Sequence, residues 1–210
     1  MLRKFTSIPV LAILFLAVSC SDLPSGSADK SSSNTSSSAS SATGPVTGKT
    51  AFWEMYKQAH AWAADLQPLH LESKTLAGMK NADGKAAMWS ATFGSPRRKE
   101  ARVFTYAVAA HAPDVYKGVT IGQPLPWNGP TRDAMPFDSA DLTIDSDAAF
   151  QTALKQADAW VKEHPDKEFS CTLGNAERFK DPVWYVLWGD SKSGYAVFVD
   201  AKSGAIVNKK

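Results

Sequence analysis

Apolar residues recur at helical spacing in two stretches of the chain. In the first, Phe52, Met55, Tyr56, Ala59, Trp62 or Ala63, and Leu66 line one face, with Thr50 placed to cap the helix start. In the second, Phe150, Ala153, Leu154, Ala157, Trp160 and Val161 do the same behind an acid-rich entry of Asp145, Ser146 and Asp147. Pro68 and Pro165 follow the two helices at matching places. Apolar and alternating runs come next. They predict strands near residues 69–76, 85–93 and 101–109 after the first helix. After the second, strands are expected near 168–173, 183–188 and 195–200, with a short one at 205–207. Asp83 with Gly84, and Ser203 with Gly204, supply turns. Each unit therefore reads as one helix packed on an antiparallel meander, an α+β fold made twice.

The two units share more than their periodicity. Ala51, Phe52, Lys57, Gln58, Ala59, Ala61 and Trp62 return as Ala149, Phe150, Lys155, Gln156, Ala157, Ala159 and Trp160. Burial can impose a common apolar stripe, but it gives no reason for Lys, Gln and Trp to recur at the same offsets, so an internal duplication is expected. The match extends into the strands. Trp89, Phe93 and Gly94 align with Trp184, Trp188 and Gly189, and Val103, Phe104 and Ala107 with Val197, Phe198 and Ala201. Between the units lies a stretch holding Pro124, Pro126, Pro130 and Pro136, with a short strand expected at 119–121. Leu125, Trp127 and Phe137 need somewhere to pack, so an ordered strap is expected there rather than a free linker. The expected organisation is a first repeat at 49–122, a connector at 123–144 and a second repeat at 145–210.

The N-terminus carries Arg3 and Lys4 and then an apolar run from Ile8 to Val18. Such a run covers only about 16 Å as a helix, half of a ~30 Å hydrocarbon core, and reads as an export signal over residues 1–19. Leu16, Ala17, Val18, Ser19 and Cys20 resemble a bacterial lipobox. That resemblance implies acylation of Cys20, anchoring by acyl chains, and, with Ser21 following, an outer-membrane destination in a diderm cell. Ordinary signal-peptidase cleavage, releasing a soluble protein, is the alternative. Residues 20–48 are rich in Ser and lack aromatic residues, the composition of a disordered tether with a reach of roughly 30 Å.

Charge narrows the partners. The chain has 23 Lys and Arg against 21 Asp and Glu, and the leader removes two of the bases and none of the acids, so the mature chain is formally neutral. Nucleic acid is a poor fit. The one basic run, Arg97, Arg98 and Lys99, reads as a solvated hairpin tip or, less simply, a contact for phosphate or a lipid headgroup. With Cys20 acylated, Cys171 has no disulfide partner, and it sits in a strand as a buried thiol or, less simply, a nucleophile. His60, His70, His111 and His164 show no metal-ligand spacing, and no nucleotide or hydrolase motif is present, so neither metal nor cofactor is expected.

The second unit, from about Asp145 to Val207, resembles a PepSY-type domain. The resemblance rests on the Ala-rich helix, Val183 to Val186, the Asp190 to Gly194 turn and the ending from Phe198 through Asp200, Ser203 and Gly204 to Val207. In the first unit Thr105 and Tyr106 stand where Val199 and Asp200 do, and no counterpart of the Ser203 and Gly204 turn is evident. The resemblance implies a cystatin-like helix-on-sheet fold and peptidase inhibition or protein binding rather than catalysis. Residues 183–188 are apolar on both strand faces, and the face away from the helix needs a cover: the other repeat, the strap, or a partner. Trp184, Tyr185, Leu187, Trp188 and Trp89 are accordingly the candidate partner-binding residues. The expectation is a non-enzymatic envelope lipoprotein that binds, inhibits or chaperones another exported protein. An assembly lipoprotein of an outer-membrane complex and a hydrolase using Cys171 or a dispersed His and acid set are the alternatives.

Overall fold

A computed structural model describes residues 44–207. The expected signal peptide, Cys20 and the expected tether up to residue 43 lie outside the described residues. In chain order the elements are β1 (Val46–Thr47), α1 (Gly48–Trp62), β2 (Gln67–Lys74), β3 (Lys85–Ala86), β4 (Met88–Ser95), β5 (Glu100–Ala107), β6 (Gly118–Ile121) and β7 (Leu125–Pro126). A single 3-10 turn at Ser139–Asp141 leads into α2 (Ser146–Glu163), and β8 (Phe169–Gly174), β9 (Val183–Trp188) and β10 (Tyr195–Asp200) complete the chain.

Both helices bury the stripe the sequence predicts. Ala51, Phe52, Met55 and Ala59 face the core from α1, and Ala149, Phe150, Ala153 and Ala157 from α2. Asp145 caps α2, accepting from Ser146 N at 2.7 Å, with Asp147 in the first turn. The cap of α1 is Thr47 rather than Thr50: the Thr47 hydroxyl accepts from Thr50 N at 3.3 Å. The fold thus begins before residue 49. Val46 is buried, β1 pairs with β3, and the Val46 carbonyl supplies the acceptor that the buried Trp89 indole needs. At its other end α1 stops at Trp62, and Ala63 turns extended, so Leu66 packs on the core from a turn. An apolar residue at the next helical position fits either geometry.

Apart from the two-stranded β1–β3 ribbon, the strands form one antiparallel sheet in the order β10-β9-β8-β2-β4-β5-β6, with β7 also against β5. Its two halves meet where β2 pairs with β8, in the register His70 with Gly174, Leu71 with Leu173 and Glu72 with Thr172. Both helices lie on one face. α1 covers β4 and β5 and α2 covers β9 and β10, over a single core cluster running from Phe52 and Trp89 to Trp184 and Val199.

Corresponding positions touch along this seam. Gly48 N donates to the buried Ser146 hydroxyl at 2.7 Å, which itself donates to the Gly84 carbonyl at 2.7 Å. Trp89 Nε1 donates to the Val46 carbonyl at 3.0 Å, and Trp184 Nε1 to the Ile144 carbonyl at 2.9 Å. The two indoles meet edge to face, 6.3 Å apart. A Cβ on Gly48 would stand 2.6 Å from the Trp184 ring, so this crossing requires glycine. The arrangement is that of a self-complementary interface, held within one chain.

Several boundaries differ from expectation. The run at 85–93 breaks at Ala87 into β3 and β4, and the 205–207 segment makes a single bridge, Ile206 with Val199. The first half does have a closing strand: β6 pairs with Phe104 to Ala107, reached by an excursion through residues 108–117 instead of a tight turn. Register also shifts the alignment of the halves. Trp89 pairs with Tyr106 and Trp184 with Val199, so Phe104 corresponds to Val197 on the helix side of the sheet, while Phe198 points to the other face. The connector is ordered. β7 lies against Glu100 and Ala101, Met135 bridges Asn175, and Phe137 is buried 6.2 Å from Phe52.

Candidate functional site

With both helices on one side, the opposite face of the sheet is uncovered by helix, and its residues follow from register. Phe198, Tyr185, Thr172, Glu72, Ser90 and Thr105 form one row across six strands. Period-two alternation along β2 puts His70, Glu72 and Lys74 side by side at its centre. Glu72 contacts Lys74, and His70 Nε2 lies 3.7 Å from Glu72 Oε2. The neighbouring His70 imidazole and the Lys74 ammonium together outweigh desolvation and hold the Glu72 carboxyl down at about 2.

The strap turns part of this face into a cleft of about 810 Å³. Trp127 roofs one end. A Cβ on Gly94 would come within 2.9 Å of its ring, so the indole lies directly on bare backbone. At the other end Phe179, Tyr185 and Phe198 cluster, with rings 5.0 Å apart for Tyr185 and Phe198 and 5.5 Å for Phe179 and Phe198. Arg178 lies over the Phe179 ring at 4.8 Å. His70, Thr92 and Thr172 contribute the polar floor.

The five residues expected to bind a partner divide between the two faces. Trp89 and Trp184 are fully buried and Trp188 is 3% exposed, all three under the helices, where they hold the core and present no surface. Tyr185 lines the cleft, and Leu187 is half-buried on the same face in register with Ser170 and Ala196. Parity along β9 separated the faces correctly. Which face was open depended on where both helices landed. His70, Trp127, Arg178, Phe179 and Phe198 were missed as cleft residues. The alternation of His70, Glu72 and Lys74 was a readable signal for the floor, whereas the strap residues meet the strands only in three dimensions.

Cys171 is fully buried and burial pushes its thiol up to about 12, the reverse of what an activated nucleophile needs. His60 is exposed on α1, 6.2 Å from the Tyr56 ring, and His164 stacks on Trp160 at 4.1 Å. Among the described residues no three His, Cys, Asp or Glu side chains gather as a metal site, and no helix is long and apolar enough to cross a membrane. Arg97, Arg98 and Lys99 do form the tip of the β4–β5 hairpin. Asp65 ties that tip down, accepting from Ser95 Oγ and Arg97 N, both at 2.8 Å, and these bonds hold its carboxyl below the usual range.

No protein-family model matches the chain, and no curated protein matches it. Among solved structures the fold resembles a putative lipoprotein (CD1622) from Clostridium difficile 630, with a TM-score of 0.51 and 11% identity over 79% of this chain and 91% of that one. At that identity the likeness is one of fold.

Proposed function

We propose that this protein is a non-enzymatic lipoprotein of the cell envelope, anchored through Cys20, that binds an extended segment of another exported protein in the cleft beneath the strap. The cleft carries the reading. Its lining runs from Phe198 on β10 through Tyr185, Thr172, His70 and Thr92 to Ala101 on β5. Six strands at about 4.8 Å spacing give a floor of roughly 24 Å, the length of about seven extended residues. Aromatic side chains at both ends and hydrogen-bonding groups between them suit a polypeptide of mixed character. The lipobox-like sequence before Cys20 and the description of the clostridial fold relative support the anchor. A helix over an antiparallel meander in each half supports a duplicated PepSY-like unit with a binding or inhibitory role.

The test is photocrosslinking in the native envelope from residue 185, with residue 57 on the outer surface of α1 as control, followed by mass spectrometry. A protein recovered from position 185 and not from 57 supports the reading, and recovery of a peptidase selects inhibition. Equal capture from both positions, or none from the cleft, rejects it. The same spectra read the anchor directly, since a mature N-terminus at Cys20 without acyl mass removes it.

A further inference from the structure

On the helix side of the sheet Arg102 packs its guanidinium against Trp62 and makes no ion pair among the described residues. Arg102 pairs in register with Phe93, as Tyr195 pairs with Trp188 in the second half. Both positions lie beneath the last turn of a helix, where Trp160 meets Tyr195 at 6.1 Å and Trp62 instead meets the Arg102 guanidinium at 5.3 Å. An aromatic residue thus satisfies this position in one half, and a cation occupies it in the other. A second guanidinium, from Arg98 at the hairpin tip, stands 5.8 Å from the same Trp62 ring. Neither arginine has a carboxylate within ion-pair distance among the described residues. Asp65 is engaged by Ser95 and the Arg97 backbone, and Glu100, two residues along the strand, does not pair with Arg102. Two N–H groups here, Trp62 Nε1 and Arg102 Nε, are buried without an acceptor. Each such donor costs about 1–3 kcal/mol if left unsatisfied.

We propose that Trp62, Arg98 and Arg102 form a binding site for a phosphoryl group, on the opposite side of the sheet from the cleft and independent of what the cleft binds. Guanidinium forks match phosphate oxygens, and each phosphoryl group offers several acceptors at once. Two guanidinium groups held against one indole, from a strand and from a hairpin tip, suit that tetrahedral group better than a planar carboxylate, which one arginine can saturate. The phosphoryl group belongs either to a lipid headgroup or to a soluble phosphate ester.

Inorganic phosphate titrated into the full chain at constant ionic strength tests the site, read by the indole N–H resonance of Trp62. The expected result is a saturable shift, weakened about tenfold or more by Arg98→Ala and by Arg102→Tyr, which installs the second half's residue and preserves packing. Phosphatidylglycerol vesicles that compete with phosphate, while phosphatidylcholine vesicles do not, assign the headgroup. Phosphate binding with no vesicle competition assigns a soluble ester. No saturable shift, an equal shift with acetate, or affinity unchanged in both variants overturns the proposal.

Discussion

The two hairpin tips solve one problem in opposite ways. In the second half the β9–β10 turn closes on itself: Asp190 accepts from Lys192 N at 2.8 Å and from Ser193 N and Oγ at 3.0 and 2.7 Å, which lowers its carboxyl. In the first half the β4–β5 turn borrows Asp65 from the segment after α1, and its own residues are Arg97, Arg98 and Lys99. The helix-end tryptophans diverge with them, Trp160 sitting against His164 and Tyr195, Trp62 against Arg98 and Arg102. Each half places one helix over an antiparallel meander, so the two can be compared position by position. A residue that differs between them is a candidate for a role beyond the fold.

The strongest challenge to that comparison is at the seam, where the halves are expected to behave alike. Trp89→Ala and Trp184→Ala should each cost about 3–5 kcal/mol in denaturant unfolding, and the double variant should fall short of their sum, because the rings contact each other. A large loss at one and almost none at the other breaks the equivalence. Gly48→Ala should cost about 1–3 kcal/mol, since the added Cβ meets the Trp184 ring. Ser146→Ala should cost about as much, by stripping the Gly48 N–H and the Gly84 carbonyl of their shared partner.

Smaller effects sharpen the contrast between the faces. The Glu72 carboxyl is held down at about 2 in the folded protein against an ordinary value of 4.5, so the stability it lends is complete above about 4.5 and is lost as pH falls toward about 2. Melting temperatures of Glu72→Gln and the parent should therefore converge over that interval and differ above it. Asp65→Asn should loosen the first hairpin without touching the second, seen as faster amide exchange confined to residues 95–99. The least effect on stability is expected for Arg102→Tyr. Its melting temperature should match or exceed the parent's if the arginine serves a ligand, whereas a clear drop would show that the fold needs the cation.

Both helices were legible in the chain because their stripes repeat at a period no strand shares, and most strands because turn residues bracket them. Failures cluster where a residue's partner is remote. Val46 has no local signal, and its place in the fold follows from the Trp89 indole. Phe104 and Phe198 align in sequence but face opposite sides of the sheet, since a one-residue shift in register reverses every side chain. The cleft was half visible. Tyr185 and the alternation of His70, Glu72 and Lys74 lie within single strands, but Trp127, Arg178 and Phe179 come from segments whose paths depend on the assembled sheet.

By itself the sequence determined that two helices would each cover an antiparallel meander, that corresponding residues recur, and that 23 Lys and Arg nearly balance 21 Asp and Glu, because periodicity, identity and charge are properties of the chain. The tertiary structure decided that β2 and β8 join the halves into one sheet with both helices on the same side. That pairing is made by backbone hydrogen bonds and a few buried contacts between segments far apart in sequence. It buried Trp89, Trp184 and Trp188 together and left the opposite face for the strap to roof.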